Sequence, residues 1–217
     1  MKILFCNIAN MKYYKGNIPG VDEPQYGGEY VQQWGDGGEV YNFFPTPVDG
    51  ENVCLGFVET KSTNRKTVNQ LHVEKIEGVF PEDAPEAEGV LVIWCAIHNN
   101  YDNSGRTAVM GWYRNATVYR EYQKIPVSLE DGGIELATYN IKANTCDCVL
   151  LPYGERNDHV WWVPRKRKTR SFGFGQANVW FAQEERAEEY VHKLVQKIDS
   201  YRGENWLWEP LPEKRDK

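Results

Sequence analysis

The stretch VMGWYRNATVYREYQ, residues 109–123, combines four aromatic side chains with two arginines, one glycine and an Asn-Ala pair. A β-strand points successive side chains to opposite faces, which places Trp112 and Arg114 on one side and Gly111 and Tyr113 on the other. Glycine within a strand permits a bend or a close backbone approach. We expect a strand that leaves the core at Arg114, breaks at the Asn-Ala pair and continues along a rim.

Strand patterns lie on both sides of this stretch. The continuous apolar run VLVIWCAI (90–97) predicts the most buried strand, and TAVMGWY (107–113) is expected to pair with it in a hairpin with a long, Asn-rich tip. Further predicted strands are KILFCNIA (2–9), EVYNFF (39–44), NVCLGFVE (52–59), QLHVEKI (70–76), ELATYNIKA (135–143) and CVLLP (148–152), with DHVWWVP (158–164) as another candidate.

One amphipathic helix is predicted near the C-terminus. Apolar residues recur at helical spacing from Gln183 to Tyr201, and Gly203 is a candidate stop. Because strands and helices do not alternate, we expect a mainly β, α+β fold built on a small curved sheet or barrel. In this prediction, residues 1–202 form one domain and residues 203–217 form a tail or linker.

Composition narrows the function classes. The net charge of −6 argues against broad nonspecific nucleic-acid binding, whereas the basic run RKRKTR (165–170) still permits a local phosphate-binding face. The mean hydropathy of −0.64 and the lack of a long apolar run exclude a transmembrane helix, so no membrane partner is expected. The start, MKILFCNIANMKYY, is more typical of a first strand than of a signal peptide. The five cysteines are expected to be reduced core thiols of a cytoplasmic protein.

The sequence contains no recognisable catalytic motif. Neither GxSxG nor HExxH occurs, and the four histidines are widely separated. The stretch TCDCV (145–149) lacks the second pair of ligands that a structural zinc site needs. We therefore expect that the chain is not an enzyme and holds no metal or other cofactor.

Two asparagines stand among apolar and aromatic residues, Asn42 in EVYNFF and Asn7 in FCNIA. A buried amide must be hydrogen-bonded, so each is either a structural clamp or a reader of a base edge. Of these alternatives, the structural clamp is the commoner role.

Five motifs together resemble a known family. They are KILFCNIANMKYYKG (2–16), GGEYVQQWGDGGEVYNF (27–43), GVLVIWCA (89–96), GWYRNATVYRE (111–121) and GFGQANVWFA (173–182). The chain thereby resembles a PUA-superfamily, EVE-like module, as found N-terminal to modification-dependent HNH restriction endonucleases. The resemblance extends over nearly the whole chain up to the helix, and its most specific part is the GWYRNATVYR segment. It implies a curved β-barrel that takes a flipped base into an aromatic cage.

The resemblance also implies a function. We expect a reader of a modified base, 5-methyl- or 5-hydroxymethylcytosine, in double-stranded DNA, acting as the recognition module of a restriction or anti-phage defence system with a nuclease domain or subunit elsewhere. A flipped base is held by stacking on rings and by hydrogen bonds to its polar edge. The implied base-binding residues are Asn7, Tyr13, Tyr14, Trp34, Tyr41, Asn42, Phe43, and one of Trp112 and Tyr113. The implied phosphate contacts are Lys12, Arg114, Arg120, Lys124, Arg165, Lys166, Arg167, Lys168 and Arg170.

The chain departs from the family at two positions. Relatives often carry a Trp where this chain has Asn10, and a smaller polar residue is expected where it has Trp34. Either the stacking ring has moved or the ligand differs. Two other functions stay open at this point: an RNA- or nucleotide-binding PUA-like module, and a non-catalytic protein-interaction domain.

Overall fold

The structure is a computed structural model that describes residues 1–25, 38–60, 70–78, 81–98, 106–128, 133–166 and 171–212. The described part is mainly β with an amphipathic helix, α1 (Glu188–Ser200), near its C-terminal end, which confirms the predicted α+β class. The strands are β1 (Ile3–Asn7), β2 (Pro45–Val48), β3 (Glu51–Gly56), β4 (Glu86–His98), β5 (Arg106–Ser128), β6 (Ile134–Asn144), β7 (Cys148–Leu150) and β8 (Val179–Trp180).

The strands form one mixed sheet in the order β2-β3-β6-β5-β4-β1-β8, and β7 pairs with β5 beside this path. Strands β1 and β4 are parallel, and the other pairs are antiparallel. The antiparallel pairing of β4 with β5 confirms the predicted hairpin, whose tip lies outside the described residues. No pairing between described residues joins β2 to β8, so the sheet is open along this path.

Strand β5 is the long central element and does not break at the Asn-Ala pair, so that prediction is wrong. Asn115 adopts a positive φ of 49°, a conformation that asparagine tolerates better than most residues. The residues before it, Gly111 to Tyr113, pair with β7, and the residues after it pair with β6. A bend of this kind redirects a strand without ending it.

Three segments predicted as strands are short 3₁₀ helices instead: Gly38–Tyr41, Val73–Lys75 and His159–Trp161. A 3₁₀ helix repeats every three residues. Around the first of these segments, the buried side chains of Val40, inside the 3₁₀ helix, and of Phe43, two residues after its end, stand three residues apart. Over so few residues, that spacing is easily mistaken for the alternation of a strand.

The two faces of the sheet bury separate apolar clusters. On the helix face, which includes Phe5 and Trp112, the residues Leu194 and Ile198 of α1 are buried. On the inner face, Trp94 and Tyr113 lie in the larger cluster. Trp112 and Tyr113 therefore point to opposite faces, as the alternation predicts.

Part of the segment that we expected to be a tail packs against the sheet. The Asn205 side chain accepts a hydrogen bond from Leu150 N at 3.0 Å and donates one to Cys148 O at 2.8 Å, and Leu207 is fully buried. The 3₁₀ helix Trp206–Trp208 follows. Residues 205–207 therefore belong to the fold and not to a tail. No helix in the described part of the chain has the length and apolar character needed to span a membrane.

Candidate functional site

Polar side chains gather where the two parallel strands end. Because β1 and β4 run in the same direction, their last residues, Asn7 and His98, lie at one edge of the sheet. The first residues of β5 are at this edge too, since Arg106 pairs with His98 and Thr107 with Ile97. We call this region the carboxyl edge. It presents side chains on both faces of the sheet.

The loop that leaves β1 at the carboxyl edge is fixed by a buried carboxylate. Asp22 accepts hydrogen bonds from the backbone amides of Lys12, Tyr13 and Tyr14 at 2.6, 3.0 and 2.8 Å. Burial raises the pKa of Asp22, although these three bonds oppose the effect. The buried Asp22 side chain therefore fixes the shape of this loop.

A buried arginine ties the same loop to the rest of the sheet. Arg156 is completely enclosed and donates to Met11 O at 2.6 Å, to Lys12 O at 2.8 Å and to Leu151 O through two nitrogens at 3.0 and 2.8 Å. Burial lowers the pKa of Arg156, and the nearby Asp22 opposes this shift. Four of the five N–H groups of the guanidinium thus donate to backbone oxygens, and Nη1 also contacts Met110 Sδ at 3.7 Å, so Arg156 acts as a structural clamp.

A second acid holds the start of the loop. The Glu39 carboxylate is buried and accepts a hydrogen bond from Ala9 N at 2.9 Å. Burial raises the pKa of Glu39 to about 7, and the neighbouring Glu59 carboxylate contributes to the rise. Near neutral pH, Glu39 is therefore divided between its protonated and charged forms.

His98 is the central side chain on the inner-face side of the carboxyl edge. It is 1% exposed, and its Nδ1 lies 3.4 Å from Asn10 Oδ1. The Tyr153 ring stands edge-on to the imidazole, with 4.8 Å between the ring centroids. Burial and the Arg156 charge lower the pKa of His98, so the ring is neutral. His98 Nε2 and Asn157 Oδ1 are both buried, and a hydrogen bond between these two side chains opposes the lowering of the His98 pKa.

On the helix-face side of the edge, Arg165 bridges two strands. It donates to Asn7 Oδ1 at 3.0 Å and to Thr107 Oγ1 at 2.6 Å, and its guanidinium lies 5.8 Å from the Phe174 ring centroid. The Asn7 side chain is thus paired within the protein. At the rim, the exposed Arg106 guanidinium lies 4.0 Å from the ring centroid of Trp162.

Comparisons of this chain with protein-family models, with curated proteins and with solved structures found no match.

Three of the residues predicted to bind a base do come together. The rings of Tyr14, Phe43 and Tyr113 are in sequential contact on the inner face, with centroids 5.5 and 5.4 Å apart, and Trp94 lies 5.2 Å from Tyr113. All four rings are fully buried. A base could reach them only if the surrounding core opened.

The other predicted base contacts are dispersed. Asn42 bonds to Phe57 N at 2.8 Å and to Phe57 O at 3.0 Å, which confirms the structural-clamp alternative for this residue. Tyr41 is 44% exposed and stands edge-on to Phe44. Trp112 packs on the helix face, as described above. Trp34 lies outside the described residues.

Tyr13 belongs to a separate aromatic contact near the loop that follows β1. Its ring stacks on Trp206 with 5.5 Å between centroids, and Lys12 Nζ lies over both rings, 5.0 Å from Tyr13 and 5.6 Å from Trp206. The predicted phosphate contact Lys12 and the predicted base contact Tyr13 are thus neighbours in space as well as in sequence.

The remaining predicted phosphate contacts do not share one environment. Arg114 pairs with Asp199 at 2.7 Å, Arg120 pairs with Glu74 at 2.8 Å, and Lys166 pairs with Glu184 at 2.7 Å. Lys124 is exposed on β5. Arg167, Lys168 and Arg170 lie outside the described residues.

Sequence reasoning missed the inner-face side of the carboxyl edge. The sequence does show one signal there, since His98 ends a continuous apolar run and a polar residue at that place faces the edge of the sheet. No sequence signal links His98 with Asn157, because the two residues meet only through the fold.

Proposed function

We propose that this protein reads a modified base in double-stranded DNA, with the base flipped out of the helix and bound at the carboxyl edge of a PUA/EVE-like fold. The observation that carries the proposal is the polar cluster of Asn10, His98 and Asn157 at this edge, which lies beside the half-buried Tyr153 ring. Such a cluster places hydrogen-bonding groups beside a ring, and a base is bound through both kinds of contact. A flipped base brings both a polar edge and a ring face.

The rigidity of the neighbouring loop supports this role. Asp22 and Arg156 fix the backbone of the loop after β1 through buried hydrogen bonds. A site that is already ordered loses less conformational entropy when it binds. The loop therefore gives the carboxyl edge an ordered border, and a base reaches Asn10 and His98, both 1% exposed, only if the side chains that cover them move.

Cations near the same edge fit a nucleic-acid backbone. Arg106 is exposed at the start of β5, and Lys12 is part of the loop after β1. Contacts of this kind fix the position of a duplex without reading its sequence. The protein has a net charge of −6, so a surface that binds phosphates has to be a small basic region such as this one.

In this proposal the protein supplies recognition to a modification-dependent restriction or defence system, and cleavage belongs to a nuclease in another domain or subunit. The motifs that resemble the EVE-like family support this assignment, especially GWYRNATVYR.

The proposal is tested by competition binding at one fixed, stated salt concentration. A labelled duplex with one 5-methylcytosine is challenged with duplexes of the same sequence that carry cytosine, 5-hydroxymethylcytosine or N6-methyladenine, and with single-stranded RNA. We expect the cytosine duplex to compete about tenfold more weakly than the 5-methylcytosine duplex, a difference of about 1.4 kcal/mol. Equal competition by these two duplexes would refute the proposal, and stronger competition by RNA would favour an RNA-binding module.

A further inference from the structure

Two cysteines from separate strands meet on the inner face of the sheet. Cys54 lies in β3 and Cys148 begins β7, and both are buried in the inner-face cluster. The pairing of β3 with β6 brings them together, because Val53 pairs with Asn144 and the Cys148 thiol donates to Asn144 O at 3.3 Å. The thiols of Cys54 and Cys148 are within hydrogen-bonding contact of each other. Two sulfur atoms therefore lie side by side in the core.

The Tyr113 side chain closes one side of this pair. Tyr113 is the register partner of Cys148, and its ring lies against β3, where a Cβ atom added at Gly56 would stand 3.1 Å away. The Tyr113 hydroxyl contacts the Cys54 side chain. Burial raises the pKa of the Cys148 thiol, and the hydrogen bond with Cys54 contributes to the rise, so Cys148 is protonated at neutral pH. The packing thus holds the pair in its reduced form.

The other three cysteines are placed differently. Cys6 and Cys95 lie in neighbouring strands, but they belong to clusters on opposite faces of the sheet. Cys146 is exposed in the 3₁₀ turn Thr145–Asp147 that precedes β7, where it is close enough to influence the pKa of Cys148. Cys146 is therefore the thiol that competes with Cys54 for Cys148.

The C-terminal segment lies against the pair on its other side. The Asn205 side chain donates to Cys148 O at 2.8 Å. Lys15, which is close enough to Cys54 for an electrostatic interaction, donates to Glu209 O. A short segment near a chain end opens locally more readily than a central strand does. When it opens, a molecule as small as hydrogen peroxide can reach the two sulfur atoms.

We infer that Cys54 and Cys148 form a peroxide-sensitive redox pair, in which oxidation joins β3 to β7 by a disulfide. The Cys54 sulfur attacks one oxygen of hydrogen peroxide, the O–O bond breaks, and the leaving hydroxide takes the thiol proton, which gives a sulfenic acid and water. The Cys148 sulfur then attacks the sulfenic sulfur and the S–O bond breaks. The second hydroxide leaves as water with the Cys148 proton.

The two thiols together lose two electrons, which reduce one peroxide to two waters. A dithiol reductant reverses the reaction by thiol–disulfide exchange. No step involves DNA, so the redox pair is independent of the proposed function.

Peptide mapping of the wild-type protein tests the inference. The folded protein is treated with hydrogen peroxide, its remaining thiols are alkylated under denaturing conditions, and the non-reduced tryptic digest is analysed by mass spectrometry. Of the five free cysteines, we expect Cys54 and Cys148 to be linked and the other three to be alkylated. Dithiothreitol should make all five available again.

The melting temperature shows whether the disulfide fits the native fold. The link closes a long loop between residues 54 and 148, which restricts the unfolded chain. We expect the oxidised protein to melt about 5–10 °C above the reduced protein. A disulfide that leaves the melting temperature unchanged or lowers it would show that the two sulfur atoms approach only after native packing is lost, and would overturn the inference.

Two variants with a matched control assign the link. Cys54→Ala and Cys148→Ala each remove one partner and should abolish both the linked peptide and the rise in melting temperature. Cys146→Ala is the control, because it removes the exposed thiol of the same segment and should leave both results unchanged. It also leaves Cys148 as the only cysteine in its tryptic peptide. If the two core variants do not fold, the wild-type map and the control decide the question.

Three outcomes would overturn the inference. They are a disulfide between Cys146 and Cys148, a mixture of unrelated cysteine pairs, and five unchanged thiols after treatment with peroxide.

Discussion

Replacing Arg156 by methionine should destabilise the whole fold, because the buried guanidinium joins the loop after β1 to the sheet. The substitution leaves the carbonyl oxygens of Met11, Lys12 and Leu151 without their donor. Each orphaned buried carbonyl costs about 1–2 kcal/mol, for a total of about 3–6 kcal/mol. Removing a buried charge relieves part of this cost, since burial of Arg156 is itself unfavourable. We expect a net loss of about 3 kcal/mol in the free energy of unfolding.

The loss is measurable by thermal and denaturant unfolding. For a chain of this length, about 3 kcal/mol corresponds to a melting temperature lowered by roughly 6–12 °C. Arg114→Met is the matched control, because it removes a partly exposed ion pair with Asp199 whose contribution is under about 1 kcal/mol. An Arg156→Met variant that unfolds at the same denaturant concentration as the control would show that the loop does not depend on this side chain.

Three further substitutions test other parts of the structure. Gly111→Ala would place a Cβ atom 2.2 Å from Val149 O, so it should lower the free energy of unfolding by at least about 2 kcal/mol. An unchanged midpoint of denaturant unfolding would disprove this close packing of β5 against β7. Asn42→Leu leaves the backbone amide and carbonyl of Phe57 without their partner, so it should lower the free energy of unfolding by about 2–4 kcal/mol in the same assay. A loss below about 1 kcal/mol would show that the Asn42 side chain contributes little to stability. The pKa of Glu39 is raised to about 7 in the folded protein from an ordinary value of 4.5, so the folded state binds the extra proton and loses stability as pH rises through this window. Between pH 5 and pH 8 the free energy of unfolding of wild type should therefore fall by about 2–3 kcal/mol more than that of Glu39→Gln, and parallel pH profiles would contradict the assignment.

Long sequence patterns predicted their elements well, and short ones did not. The apolar run at residues 90–97 lies in β4, and the segment with helical spacing, residues 183–201, includes α1. Both patterns extend over many residues, so each one identifies its element clearly. The segment at 39–44 is too short for its period to be read from sequence. There the buried pair Val40 and Phe43 belongs to a 3₁₀ turn and the bend that follows it.

The candidate site was less predictable than the fold because its chemistry depends on contacts between distant segments. Asn42 is satisfied by Phe57, and no local pattern indicates this partner. The predicted cage rings Tyr14 and Phe43 do meet, but inside the closed core. Asn10, His98 and Asn157 are far apart in sequence, and only the three-dimensional structure brings them together at the carboxyl edge.

Base flipping is measured most directly with the fluorescent base 2-aminopurine. This base is placed in the duplex next to 5-methylcytosine, where its fluorescence rises when stacking is lost. Base flipping predicts a several-fold rise when the protein binds the modified duplex, and little change for the same duplex with cytosine, because only the modified base is extruded. Tight binding of the modified duplex with unchanged fluorescence would contradict it, since the base would then be bound within the intact helix.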